Sequence, residues 1–212
     1  GRDIFSRTVF GLRISLLLVI GVLGISVPFG AVLGLIAGYF GGWSEKLISG
    51  LTNVMLAMPP LVMALAVSNL LEPNLMNAMI AITLLWWAGQ ARLIYAVSKS
   101  IASEDYIEAA RLAGAGPIHI LFREILPNCI PVLSVKTTLD AAFVILFGAT
   151  LSFLGFGAPP PQPEWGLLIS EGRNFIVAAW WYTTLPGLVV ASVVLAANQI
   201  ARAMQRTWGE NR

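Results

Sequence analysis

Ser98–Pro127 reads SKSIASEDYIEAARLAGAGPIHILFREILP, and it is a polar insert between long apolar runs. It gathers Lys99, Glu104, Asp105, Glu108, Arg111, His119, Arg123 and Glu124 in a chain that is otherwise poor in charge. Two short helices with a glycine hinge fit it. Ser103 is the predicted N-cap, and Glu104 and Asp105 place negative charge in the first turn, where the helix dipole favours it. Gly114 suits the residue just past a helix end, and Pro117 suits the first position of a second helix. Ala109, Ala110 and Ala113 give the first helix a smooth face, which suits docking into a groove on another protein.

On either side of this elbow the sequence reads as membrane. The chain has 212 residues, 57% of them hydrophobic and 11% charged, where a soluble domain carries about a quarter charged residues. The fold class expected is an all-α bundle of transmembrane helices in one domain. A net charge of +2 gives no argument for nucleic acid. Cys129 has no disulfide partner, and His119 has no second ligand near it in sequence, so no metal site, cofactor or catalytic cluster is expected. No GxxxxGKS or GxxxxGKT phosphate loop occurs, so any ATP chemistry has to come from a partner. The opening Gly1-Arg2-Asp3 lacks an initiator methionine, as expected of a chain whose upstream part, including a further span, is missing.

Taken in order, residues 1–13 form an amphipathic lead-in with Arg2, Arg7 and Arg13 on its polar side, fit for the membrane surface. Residues 14–201 form the membrane domain, and residues 202–212 a tail. The first span is predicted over Ile14–Tyr39, longer than the roughly twenty residues a crossing needs, with Gly34 and Gly38 as a close-packing face. The second, Leu47–Leu71, is interrupted by Pro59-Pro60, a break tolerated where other helices or water satisfy the freed backbone. The third is predicted over Pro73–Ala91 with Arg92 at its boundary. The fourth, Asn128–Thr150, contains Lys136 and Asp140 at i, i+4, a spacing that lets them pair on one face. Either they are a neutralised pair inside the bundle, or they line a translocation path; the spacing fits both. The Gly/Pro-rich stretch Leu151–Arg173 cannot be a straight span. Phe175–Ile200 is the fifth, with Trp180, Trp181 and Tyr182 near one interface.

Five alternating spans place Arg2, Arg7, Arg13 and Arg173 on one side. They place Lys46, Arg92, Lys99, Arg111, Arg123, Arg202, Arg206 and Arg212 on the other. The excess predicts that the elbow and the C-terminus are cytoplasmic.

Glu108-Ala109-Ala110, Gly114 and Ile125-Leu126-Pro127 resemble the EAA loop of ABC-importer permeases. The pattern is EAA, three residues, glycine, nine residues, then I-x-L-P; here Glu124 stands where isoleucine is usual. GRDIFSRTVFGLRISL at the start and SFLGFGAPPPQPEWG at 152–166 resemble the dipeptide/oligopeptide/nickel branch, in its dipeptide-permease C type. The resemblance implies a type I importer permease fold and an inner-membrane subunit that forms half of a pore. The implied partners are a second permease, two ATP-binding subunits and an extracytoplasmic binding protein, with ATP held by those partners. It implies docking on the ATPase through Glu108, Ala109, Ala110, Gly114 and Pro117. Such permeases usually have six spans, and the tail lacks the usual Gly-Asp and Arg-Asp pairs. Dipeptides, oligopeptides, nickel, glutathione and opine-like solutes stay open as substrates. Lys136 and Asp140 have no counterpart in the pattern and are the residues expected to line the path. An ion-gradient-driven transporter or channel, with that pair as relay, is the alternative. A membrane enzyme would need a catalytic constellation that the spans do not show.

Overall fold

A computed structural model describes residues 3–209. Gly1, Arg2 and residues 210–212, including Arg212, lie outside them. The described residues are helical with no strand.

Helix α1 runs unbroken over Ile4–Phe40, 37 residues. Asp3 starts it by accepting from the backbone N–H of Phe5 at 3.0 Å and of Ser6 at 3.1 Å. The expected lead-in at 1–13 is therefore not a separate element where it is described. Asp3 caps the helix, and nothing between Ile4 and Tyr39 stops it. Gly41 and Gly42, with φ of +62° and +59°, turn the chain into α2, Gly42–Ala57. After Pro59, Pro60 opens α3, Pro60–Leu70, and the two helices meet at 89°. The double proline thus makes a right-angled break: Pro60 offers no N–H to continue the ladder, and its ring disfavours helical backbone before it.

Asn74 caps α4, Leu75–Ala102, accepting from the Asn77 N–H at 2.8 Å. This corrects the boundary expected at Arg92. No helix breaker lies between Ala91 and Ala102, and Arg92 finds a partner in Asn53 at 2.6 Å. Ser103 is also corrected: it closes α4 rather than capping the next helix. Its hydroxyl donates back to the Ser100 carbonyl at 2.7 Å. Helix α5, Asp105–Leu112, starts from Glu104 with no side-chain cap. It ends in a Schellman motif. The Ala115 N–H reaches the Ala110 carbonyl and the Gly114 N–H reaches the Arg111 carbonyl, both at 3.0 Å, with Gly114 at φ +88°.

Pro117 opens α6, Pro117–His119, as its sequence position predicts. A wider π-helical segment, Ile120–Ile125, leads into α7, Leu126–Phe153, so the three make one helical rod over Pro117–Phe153. Beyond it come α8, Trp165–Gly172, a 3-10 turn at Arg173–Phe175, and α9, Trp181–Gly209. The last helix starts six residues after the expected Phe175. It carries Arg202 and Arg206 inside it, so the expected tail is helix as far as it is described.

Four helices are long and apolar enough to cross a membrane, and the bent α2–α3 pair makes five if it counts as one span. Four buried apolar clusters hold the bundle, two of them the larger. Leu18, Val22, Ala78, Ile82 and Val144 pack towards one end. Ala31, Leu35, Ile94, Ile107, Ile120 and Ile125 pack towards the end that bears α5. Helices α1 and α4 run side by side through Gly30, Gly34 and Gly38. At each of these glycines α4 approaches so closely that a Cβ would meet it at 2.7 Å or less. That seam is the close approach small residues permit.

Candidate functional site

The first helix of the elbow is held to the bundle by Ile107 and Arg111 and leaves most of its remaining surface uncovered. Ile107 is fully buried among Ile94, Ile120, Leu121 and Ile125. The Arg111 guanidinium lies 4.9 Å from the centre of the Tyr39 ring, tying α5 to the end of α1. Glu108, Ala109, Gly114 and Pro117 are exposed and Ala110 is half-buried. Leu112 is 85% exposed and Ile118 74%, which leaves an apolar knob on a charged element. Burial, then the negative fields of Glu124 and Glu104, push the Tyr106 phenol above its ordinary value. The five residues expected to dock therefore sit along one compact, outward-facing piece of chain.

Lys136 and Asp140 do pair, across one turn of α7. Asp140 is buried, and its second carboxylate oxygen accepts from the Gln90 amide of α4. Lys136 is one-third exposed. Its Nζ lies beside Gly89, 3.9 Å from where a Cβ would be. The sequence reading missed Gln90, the polar residue of α4 that completes the cluster. Its signal was an amide in an apolar run, which gives no partner by itself. The geometry makes a satisfied carboxylate between α4 and α7 with an ammonium at its edge.

At the opposite end from the elbow, α8 folds back onto the bundle. The Trp165 indole donates to the Thr8 carbonyl at 2.8 Å. Arg7 pairs with Glu171 at 2.9 Å, and Tyr182 donates to the same carboxylate at 2.6 Å. Glu164 caps α8, accepting from the Leu167 N–H at 3.0 Å. Burial pushes its carboxyl above the usual range, against the opposing pull of the Ser152 hydroxyl and the N–H groups of Leu167 and Gly166.

A model of the family described as binding-protein-dependent transport system inner membrane component matches residues 30–209, a range that holds the elbow, the bent pair and the Lys136–Asp140 helix. The chain belongs to that family. This permease is 44% identical over 198 residues to a dipeptide transport system permease protein of Haemophilus influenzae, covering 93% of the chain and 67% of that relative. It is 42% identical to a di/tripeptide transport system permease protein of Pseudomonas aeruginosa, covering 93% of the chain and 65% of the relative. With a dipeptide permease of Alkalihalophilus pseudofirmus it shares 40% identity over 97% of the chain and 67% of the relative. The chain thus spans about two thirds of the length of these relatives. Its fold matches an inward-facing structure of the MetNI methionine ABC transporter, with TM-score 0.68 and 17% identity over 95% of both chains. That likeness concerns fold alone. The permease is of the ABC-importer type and not an enzyme; the ion-gradient alternative is not favoured.

Proposed function

We propose that this permease forms one half of the translocation pore of an importer for di- and oligopeptides. It pairs with a second, similar permease, receives substrate from an extracytoplasmic binding protein, and rests on two ATP-binding subunits that hold the ATP. The observation that carries this reading is the elbow. It is an exposed helix with an apolar tip, stiffened by a Schellman stop and fixed to the bundle by Ile107 and Arg111. Glu108, Ala109, Ala110, Gly114 and Pro117 dock on the ATPase. Closure of the ATPases then moves the elbow as a lever and switches the bundle between two packings. The Lys and Arg excess on the elbow side supports a cytoplasmic elbow and C-terminus. Lys136 and Asp140 contribute to the wall of the path, since ionisable residues inside spans mark such paths. The peptide class comes from the names of the relatives.

The test is coupled ATPase activity and uptake by the complete transporter reconstituted in vesicles with its binding protein and a peptide mixture. Gly114→Asp and Glu108→Lys should abolish substrate-stimulated hydrolysis and uptake while the permease still inserts. Uptake that persists without ATP and collapses with the proton gradient would overturn the reading.

A further inference from the structure

Between α2 and α4 lies a cavity of about 490 Å³, within the size range of small-molecule sites. Arg92 lines it, joined by Lys46, Ser49, Thr52, Asn53 and Tyr95. The Arg92 guanidinium is oriented by one bond, Nη1 donating to Asn53 Oδ1 at 2.6 Å. The cavity's one carboxylate, Glu45, is already neutralised by Lys99 at 2.5 Å and accepts from the Tyr95 hydroxyl. Arg92 and Lys46 therefore leave the cavity with a positive balance.

Thr52 adds an independent sign. It is 3% exposed, and its hydroxyl bonds to no described residue. A buried hydroxyl without a partner carries a desolvation cost that a bound polar group removes. Arg92 is itself exposed on the cavity wall, so its guanidinium is open to a ligand. The Lys136 ammonium lies beside Gly89, one turn before Arg92 on the same helix, so the two cations flank one stretch of α4.

We propose that this cavity is a subsite for the free C-terminal carboxylate of the transported peptide. The Arg92 guanidinium anchors the carboxylate, with the Thr52 hydroxyl as a further donor, making Arg92 a specificity-determining residue of the permease itself. A planar guanidinium offers the paired donors that a carboxylate accepts. The inference rests on the peptide-importer reading above.

The experiment uses the complete transporter in nanodiscs, free of nucleotide, carrying Ser49→Cys in the cavity wall. The native Cys129 is fully buried and serves as the internal silent site. The rate of labelling by an anionic methanethiosulfonate is followed with and without alanyl-alanine. The expected result is labelling slowed about tenfold by alanyl-alanine and not by alanyl-alaninamide, the gap being the loss of one charge-assisted contact. Arg92→Leu should abolish the protection, Arg92→Lys should retain part of it, and Thr52→Val should weaken it without disturbing assembly. Equal protection by acid and amide, or none by either, overturns the proposal. So does protection that follows the anionic lipid content of the nanodisc and ignores peptide. ATP-driven uptake of alanyl-alanine by the unmodified transporter is measured in parallel. If uptake occurs without protection, the subsite falls while the importer reading stands; if uptake fails altogether, the importer reading falls first.

Discussion

Replacing Gly34 by alanine, the smallest possible change at the α1–α4 seam, should unseat the two helices. A Cβ on Gly34 would stand 2.6 Å from the Ala91 carbonyl oxygen, 2.8 Å from Ile94 Cβ and 2.9 Å from the Tyr95 nitrogen. Two of these are backbone atoms of α4, so no rotamer change relieves the clash and the helices have to separate. Overpacking of this kind costs about 1–3 kcal/mol. Against it stands the gain of about 0.5–1 kcal/mol from replacing glycine in a helix interior. Gly24, on the same helix, isolates that gain, because a Cβ there meets nothing within 4 Å. Gly24→Ala should therefore hold or raise stability while Gly34→Ala lowers it by about 1–2 kcal/mol, the overpacking cost less the helix gain. Thermal unfolding of the transporter in a fixed detergent, followed through the permease, reads the difference. Equal midpoints, or a higher one for Gly34→Ala, would refute the claim that backbone contact at this seam sets the helix spacing.

Other variants probe the remaining features. Ile107→Ala removes the anchor of the elbow and should cost about 2–5 kcal/mol by opening a cavity; hydrogen exchange of residues 105–112 should accelerate while the spans stay protected. Lys136→Met strands the buried Asp140 carboxylate and should cost about 2 kcal/mol, less than a fully enclosed pair would lose, since Lys136 is partly exposed. Adding Asp140→Leu should recover most of that loss in the same unfolding assay. Glu164 predicts a pH effect whose sign is fixed by burial. Its folded carboxyl holds a proton to higher pH than the unfolded one. The folded state therefore binds more protons in the window between the two, and its contribution falls as pH rises through the raised value. Glu164→Gln should flatten this dependence; an unchanged pH profile would count against the buried-carboxyl account.

The sequence made the membrane class, four spanning helices and the elbow readable, because each rests on local signals. Charge-free runs of span length, Gly114 at a positive φ and Pro117 at a helix start need no tertiary partner to declare themselves. Pro59-Pro60 announced a break but not its angle, which depends on how α3 packs against α4. The misreadings have one cause. Ser103 and Arg92 were judged by residue type, while their roles were settled by neighbours in space or along the helix. Ser103 met the open carbonyl of Ser100, and Arg92 met Asn53 from another helix. Gln90 and Thr52 lie further out of reach, since a lone amide or hydroxyl in an apolar run acquires meaning only when the facing helix is known. The π-helical turn at Ile120–Ile125 had no composition of its own to reveal it.

Helix α1 touches both ends of the molecule. Near its start the Thr8 carbonyl receives the Trp165 indole of α8, and near its finish the Tyr39 ring lies under Arg111 of the elbow. Its 37 residues span about 55 Å, well beyond the roughly 30 Å of a bilayer's hydrocarbon core. One helix thus ties the elbow to α8, and Pro28, which interrupts the hydrogen-bond ladder between the two contacts, is the point along that tie where it is least stiff.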